Sequence, residues 1–181
     1  NGYAISQGIN FNLDIELLKI PLKILLGGTF MDNYKVEKGI RSSQVLTENY
    51  TSTWSLSYEF KKIGLSMDYT GNIYSPMRLP LLGELDPRDE YSPWWSIQNI
   101  QLTKKIKRFE IYGGVKNLLN FTPPPNSIAR SFDPFDKGVQ YNSSGQIIPT
   151  PNNPYAQSFD PTYMYAPNQG IRAFLGVRFK I

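Results

Sequence analysis

The residues best suited to ligand binding lie in two long polar segments, at about residues 71–93 and 118–169. Charged and aromatic side chains in such segments form binding sites when a rigid scaffold holds them, and each is also explained as a solvated loop residue. A carboxylate pair in the second segment lacks the remaining ligands of a calcium loop, so no metal site is predicted. The candidate ligand-binding residues are Arg78, Asp86, Arg88, Asp89 and Tyr91 in the first segment and Arg130, Asp133, Asp136, Tyr155 and Tyr163 in the second.

Cysteine and histidine are both missing from the 181-residue chain. Their absence excludes thiol nucleophiles, disulfides, Cys/His metal sites and every triad that uses histidine. The glycine pairs Gly27-Gly28 and Gly113-Gly114 lack the Lys-Ser/Thr or third glycine of a phosphate-binding loop. The sequence therefore predicts a protein that is not an enzyme and has no cofactor.

Charge is mild, with a formal net value of +4. The basic residues form two small groups, at residues 61–62 and 104–108, and no basic stripe of the kind that binds nucleic acid. We interpret both groups as solvated turns and expect no nucleic-acid partner.

The elements that must position these residues are β-strands. In the last twelve residues every second position from Ile171 to Ile181 is apolar, which is the period of a strand with one apolar face. The same alternation predicts seven strands in all, at about residues 9–17, 22–30, 54–60, 63–70, 94–102, 109–117 and 170–181. The apolar parity slips between Ile97 and Ile100, where we expect a β-bulge.

Short and long connections alternate between these strands. Short turns are predicted near residues 20–21, 61–62 and 104–108, and long loops over residues 32–49, 71–93 and 118–169. This alternation is typical of an antiparallel transmembrane β-barrel, whose bacterial single-chain forms have an even number of strands. Seven strands therefore predict a segment of a larger barrel. The alternative is a soluble or cell-surface β-sandwich that acts as a binding or adhesion module. A barrel-type enzyme is a third reading, but no catalytic set supports it.

Side chains on the two strand faces fit a barrel. Aromatic residues near strand ends predict girdles at the lipid interface, formed by Trp54, Tyr58, Phe60, Tyr69, Trp94, Trp95 and Phe109. A sandwich core would also use these residues. The charged residues predicted to face the lumen or a plug, or simply to pair across strands, are Asp14, Glu16, Glu59, Asp68, Lys116, Arg172 and Arg178.

Three segments resemble the C-terminal end of a TonB-dependent receptor of the Bacteroidetes type. They are residues 113–120 (GGVKNLLN), residues 163–179 (YMYAPNQGIRAFLGVRF) and residues 75–80 (SPMRLP). The resemblance implies a barrel of about 22 strands with a plug inside it. Residues 1–181 would be its C-terminal part, without the plug or the N-terminal strands. Members usually end in an aromatic residue that barrel-assembly machinery reads; here Phe179 and Ile181 would serve as that signal.

The resemblance also implies a location and partners. It places the chain in the outer membrane as a multi-pass protein, taking up a scarce nutrient by TonB-coupled transport. The nutrient classes left open are an iron–siderophore, haem, cobalamin and an oligosaccharide. The partners would be the remaining barrel strands, the plug, TonB acting through the plug, and lipid or lipopolysaccharide; a surface lipoprotein stays an open alternative. The chain begins Asn-Gly-Tyr, as though it were cut from something larger.

Overall fold

The computed structural model describes residues 2–17, 19–80, 89–123, 140–144, 147–151, 165–167 and 169–180. Within these ranges the chain forms β-strands and one short 3-10 helix, Lys61–Ile63. The strands are β1 Gly2–Glu16, β2 Leu22–Glu37, β3 Ile40–Ser43, β4 Tyr50–Phe60, β5 Leu65–Tyr74, β6 Trp95–Ile106, β7 Phe109–Lys116, β8 Gln140–Tyr141, β9 Ile147–Ile148 and β10 Arg172–Phe179.

Seven strands form one antiparallel sheet in the order β1-β2-β4-β5-β6-β7-β10. Each strand pairs with the next one along this path, and β3 pairs with the far part of β2. The prediction of an all-β antiparallel fold is therefore confirmed. Among the described residues β1 and β10 each have one neighbour, so the sheet is open.

Along the path β1-β2-β4-β5-β6-β7-β10, the short connections lie at one end of the sheet. They are residues 17–21, 61–64 and 107–108, and we call this side the turn end. The chain leaves the sheet and returns to it at the opposite side, the loop end, between β2 and β4, between β5 and β6 and between β7 and β10. This arrangement follows from the meander, because each strand reverses the direction of the previous one. The predicted alternation of short and long connections is confirmed.

The sheet has one apolar face and one polar face. Directly opposed residues of an antiparallel pair point to the same side, so the strand register shows which residues share a face. One row of opposed residues crosses all seven strands on the apolar face: Ile15, Ile24, Leu56, Tyr69, Ile100, Val115 and Ala173. The adjacent row on the polar face is Glu16, Lys23, Ser57, Asp68, Gln101, Gly114 and Phe174.

The predicted first loop at residues 32–49 is partly wrong. Strand β2 continues to Glu37, and β3 returns along it. The turn between them contains Lys38 and Gly39, both with positive φ (51° and 80°). A tight hairpin turn of this kind favours such backbone angles, and it was missed because lysine is an uncommon residue there.

The predicted bulge near Ile97 is also wrong. The β5–β6 register is unbroken from Leu65 opposite Lys104 to Tyr74 opposite Trp95. The apolar parity changes because Trp95 and Ile97 lie on the polar face, where Trp95 contacts other aromatic side chains. There are two smaller differences. The predicted turn at residues 61–62 is a 3-10 helix, Lys61–Ile63, that includes Ile63, where a strand start was predicted. The β8–β9 hairpin lies inside the predicted third loop.

Two glycines make room for aromatic rings on the apolar face. Gly71 lies opposite Trp54, and a Cβ on Gly71 would stand 2.3 Å from a carbon of the indole ring. Gly28 lies opposite Phe11, where a Cβ would also stand 2.3 Å from the ring. In both pairs the ring covers the strand at the glycine, so the glycine is needed for close approach.

Burial is concentrated at the loop end. Among the described residues the buried hydrophobic side chains are Met77, Leu79 and Trp95, at 4%, 3% and 9% exposure. In contrast, many apolar residues of the strands are exposed, including Ile9 at 72% and Leu175 at 80%. A single sheet layer cannot cover its own apolar face, so the packed part of the described structure is at the loop end.

Candidate functional site at the loop end

The centre of the loop end is the segment of residues 75–80. Its residue Arg78 forms a parallel bridge with Val45 and an antiparallel bridge with Tyr91. The backbone N–H of Leu46 donates to the carbonyl oxygen of Arg78 at 2.8 Å. The segment therefore joins the first and second long connections in one layer, although the two are separate in sequence.

Buried side chains hold this layer in place. Met77 and Leu79 are buried, and Ser92 is only 3% exposed. The Ser92 hydroxyl accepts a hydrogen bond from the Met77 N–H at 2.9 Å, and the Ser92 N–H donates to the Met77 carbonyl at 2.8 Å. Two apolar anchors and a reciprocal hydrogen-bond pair hold the segment in place.

Ser75 connects the layer to the sheet. The residue is 6% exposed, and its Oγ accepts hydrogen bonds from the Asn49 N–H at 3.1 Å and the Tyr50 N–H at 3.0 Å. Since Tyr50 is the first residue of β4, the serine satisfies backbone donors where the first long connection enters the strand. These hydrogen bonds fix the position of the loop layer relative to the end of β4.

Three predicted ligand-binding residues are described: Arg78 and Tyr91 belong to this layer, and Asp89 lies next to it in sequence. The Arg78 Nε donates to Glu90 Oε1 at 3.1 Å, and the Arg78 side chain is 33% exposed. Tyr91 is 46% exposed, and Asp89, two residues before it, is also exposed. Arg78 and Tyr91 are adjacent through their bridge. The remaining predicted loop residues lie outside the described residues: Asp86, Arg88, Arg130, Asp133, Asp136, Tyr155 and Tyr163.

An aromatic stack on the polar face was not predicted. Trp95 stacks on Tyr74 with ring centroids 4.0 Å apart and on Phe121 at 5.8 Å, with interplanar angles of 16° and 13°. Tyr165 is tilted against the same indole at 6.4 Å. The prediction that Trp95 belongs to a lipid-facing girdle is therefore wrong, because the residue is buried on the polar side. The parity slip in β6 was the available signal.

The Trp95 indole nitrogen has an unusual environment. Its Nε1 is buried and has no hydrogen-bond partner in the part of the chain that the structure describes. A buried donor of this kind usually finds an acceptor in protein or water. The stack thus combines a large aromatic surface with a buried indole donor, and Phe121 and Tyr165 contact it from the third long connection.

Asn117 closes the base of the longest connection. Its Nδ2 donates to the carbonyl oxygens of Phe121 at 2.8 Å and Gln169 at 3.1 Å, and its Oδ1 accepts from Phe121 N–H at 2.9 Å. The residue is 3% exposed. Nearby, Asn120 Oδ1 accepts from Ile171 N–H at 2.8 Å. The two asparagines hold together the ends of the connection between β7 and β10, and we call them the asparagine clasp.

Both clasp residues have positive φ, 54° at Asn117 and 53° at Asn120. Asparagine adopts this region more readily than most residues, because its short amide bonds to the local backbone. The segment of residues 113–120 carried the family resemblance, and here its asparagines have a defined structural role.

The charged residues of the polar face were predicted from alternation, and the register places all seven on that face. Lys23 Nζ lies 2.8 Å from Glu16 and 3.6 Å from Asp14. Asp68 accepts a hydrogen bond from Ser57 at 2.6 Å. Glu59 is exposed. Their exposure to a barrel lumen or a plug stays a prediction.

The polar face near β10 carries the other three residues of that set. Arg178 pairs with Glu110 at 3.0 Å, and Lys180 approaches the same carboxylate at 2.9 Å. Arg172 hydrogen-bonds to Gln169, and the Lys116 ammonium lies 5.6 Å from the Phe174 ring centroid. The Arg178–Glu110 and Lys116–Phe174 contacts join β7 and β10, whereas Arg172–Gln169 is a local contact. The Glu110 side chain is only 8% exposed, so its two cation partners compensate a buried carboxylate.

The structure describes one of the two residues of the predicted C-terminal assembly signal. Phe179 lies on the apolar face, is 52% exposed, and packs against Phe109 with ring centroids 5.0 Å apart. Ile181 is outside the described residues. The role of both residues in assembly stays a prediction.

Within the described ranges, no group of three Asp or Glu side chains converges in a way that could hold a metal ion. No helix in the same ranges has the length and apolar character needed to cross a membrane. Comparisons of the chain with protein-family models, with curated proteins and with solved structures found no match.

Proposed function

We propose that this chain forms part of the wall of a transmembrane β-barrel in the outer membrane, within a TonB-dependent receptor that takes up a scarce nutrient. The apolar face would contact lipid, the polar face would line the interior, and the connections at the loop end would help capture the nutrient outside. The nutrient is an iron–siderophore, haem, cobalamin or an oligosaccharide.

The observation that carries this proposal is a pair of aromatic rows that bound the apolar face. At the loop end the Phe30 and Tyr50 ring centroids are 4.7 Å apart, and Tyr50 and Trp94 are 6.0 Å apart. Phe30 and Trp94 are each 54% exposed. Aromatic rings favour the level where hydrocarbon meets head groups, since they combine an apolar body with polar or polarisable edges.

The second row lies at the turn end of the same face. Tyr58 and Phe60 are 4.6 Å apart, and Phe109 and Phe179 are 5.0 Å apart. Between the rows the apolar face presents exposed aliphatic side chains such as Leu102 at 45%. A soluble protein rarely exposes an apolar surface of this extent.

The spacing of the rows fits a bilayer. Strand β4 has 11 residues, and its first and last residues, Tyr50 and Phe60, belong to opposite rows. At about 3.4 Å per residue they are about 34 Å apart along the strand. A strand tilt of about 40° reduces this to a height of about 26 Å, close to the apolar band of about 25 Å in outer-membrane barrels.

The open edges also favour a larger assembly. In the described residues β1 and β10 have one free edge each, and unpaired backbone groups in lipid are unfavourable by several kcal/mol each. The first and seventh strands of the path run in the same direction. Closure by antiparallel pairs alone therefore needs an odd number of additional strands.

Spin labels on successive residues of β6 test the lipid-facing assignment. The chain has no cysteine, so single variants at Ile100, Gln101, Leu102 and Thr103 can be labelled without background from these 181 residues. In the reconstituted full protein, labels at Ile100 and Leu102 should collide readily with oxygen and poorly with a water-soluble nickel chelate. Labels at Gln101 and Thr103 should have low oxygen accessibility.

If labels at Ile100 and Leu102 are shielded from both reagents, the apolar face is a protein core, and the sandwich alternative replaces the barrel. The receptor part is tested by the native mass of the particle extracted in mild detergent. We expect this chain to be found with a plug domain and further strands. A folded particle that needs no detergent would contradict the proposal.

A further inference from the structure

Two basic groups that are separate in sequence meet at the turn end. Residues 61–62 lie in the β4–β5 turn, and residues 104–108 span the end of β6 and the β6–β7 turn. Lys104 lies directly opposite Leu65, and its ammonium donates to the Ile63 carbonyl oxygen. The Lys105 N–H donates to the Gly64 carbonyl at 2.9 Å. The two turns are therefore neighbours.

The two basic groups contain six cations, and none of them forms an ion pair within the described part of the chain. Lys105 lies on the polar face, opposite Glu110, and the other five lie around the two turns. Four of these five are exposed, and Lys104 is half-buried. We call this set the basic turn patch: Lys61, Lys62, Lys104, Lys107 and Arg108.

Acidic residues at the turn end do not neutralise the patch. Glu110 and Glu16 lie on the polar face and are already paired with other cations, Arg178 and Lys180 for Glu110 and Lys23 for Glu16. Glu59 also belongs to the polar face, because it lies opposite Ser66 in the same register as the other polar residues. The patch thus keeps a local positive charge.

The patch adjoins the apolar face and its aromatic row. Lys104 itself belongs to the apolar face, opposite Leu65 and Ile111. Phe60 and Phe109 flank the two turns and are 39% and 49% exposed. Lysine at such a level buries its methylene chain along apolar surface and extends its ammonium toward the polar boundary.

We propose that the basic turn patch binds the phosphate groups of anionic phospholipids in the leaflet at the turn end of the sheet. The proposal rests on the membrane location under Proposed function. Anionic head groups attract basic residues next to a membrane-spanning segment, and aromatic rings beside them contact the upper acyl chain. A phospholipid supplies both parts, whereas a free phosphate ion supplies only the charge.

Spin-labelled lipids test the proposal on the full protein in phosphatidylcholine bilayers. The fraction of motionally restricted lipid is compared for labelled phosphatidylglycerol and labelled phosphatidylcholine. We expect phosphatidylglycerol to be preferred by about fivefold at low salt, the factor for about one effective cation per lipid. The preference should fall toward one at high salt, because the patch is exposed.

Matched variants locate the preference. Lys61→Gln, Lys107→Gln and Arg108→Gln together should lower it, and adding Lys62→Gln and Lys104→Gln should abolish it. The control combines Lys35→Gln, Lys38→Gln and Arg41→Gln at the loop end, with the same change of charge. Because four of the patch residues are exposed and the three-site variant leaves Lys104 unchanged, that variant should keep the fold.

Each result separates the two proposals. Restricted lipid without head-group preference would overturn the lipid patch and leave the membrane location intact. No restricted lipid at all would contradict the membrane location. An equal loss of preference in the control would assign it to net charge, against the patch. A larger effect of sodium phosphate than of sodium chloride at equal ionic strength would assign the patch to free phosphate ions.

Discussion

Replacing Asn117 with aspartate should open the base of the longest connection. The two side chains have nearly the same shape, and aspartate also tolerates positive φ. The aspartate would keep the acceptor for Phe121 N–H but would lose both donors, to the Phe121 and Gln169 carbonyl oxygens. A carboxylate oxygen would instead face those two carbonyl oxygens.

The magnitude follows from the two lost bonds. Each hydrogen bond contributes about 1 kcal/mol, and a buried carbonyl that loses its partner adds to the loss. Asn117 is 3% exposed, so water cannot easily replace the amide. We expect the free energy of local opening to fall by about 2–3 kcal/mol, which makes amide exchange roughly 30- to 150-fold faster if exchange follows local opening.

Hydrogen exchange measured on peptides that cover residues 117–121 and 169–172 is the assay. The control is Asn120→Asp, since Asn120 acts through Oδ1 as the acceptor for Ile171 N–H and aspartate keeps that acceptor. Exchange in the control should stay within a few-fold of the wild type. Strand β5, away from the clasp, should exchange alike in all three proteins.

Unchanged exchange in Asn117→Asp would refute the clasp, since it would mean that the two donated bonds do not hold the connection. The same acceleration in Asn120→Asp would also refute it, because a generic effect of added negative charge would then explain both. Acceleration spread over β5 would indicate global destabilisation instead of local opening.

Two further substitutions test the sheet and the loop layer. Gly71→Ala should lower the free energy of unfolding by about 1–3 kcal/mol, because the new Cβ overlaps the Trp54 ring. In a Trp54→Leu background most of that loss should disappear. Urea unfolding in lipid measures the loss in each background, and an equal loss in the two would contradict the contact. Ser75→Ala should lower stability by about 1–3 kcal/mol by leaving the Asn49 and Tyr50 N–H groups without their acceptor. Ser66→Ala, which removes a weak 3.5 Å contact, should change the same unfolding midpoint much less, and comparable losses would argue against the assigned role of Ser75.

Alternation in the sequence was sufficient to predict the sheet. The apolar positions of β1, β4, β5, β7 and β10 appear on one face as expected, since the period of two is a local property of each strand. The failures occurred where local pattern was weak. The residues of β2 after Asp32 are mostly polar, so neither the extension of β2 nor its pairing with β3 was predicted. The parity slip at Ile97 predicted a bulge in a strand that has none.

The candidate site was much less predictable. Arg78 and Tyr91 were selected by residue type alone, and the structure shows that a backbone bridge joins them. The Trp95 stack and the asparagine clasp were missed, because each depends on residues from different connections. Asn117 contacts Gln169 across a connection whose length gives no sequence signal of which residues meet.

The sequence by itself determined which strands form, which of their residues share a face, and that short and long connections alternate. These properties depend on neighbouring residues and on the pleat of the extended chain. Only the tertiary structure decided which distant groups meet. It joined the two basic groups at adjacent turns, placed Trp95 under the longest connection, and closed that connection with Asn117. The physical reason is that strand register and loop contacts are set by pairing between residues far apart in the chain, which local periodicity does not encode.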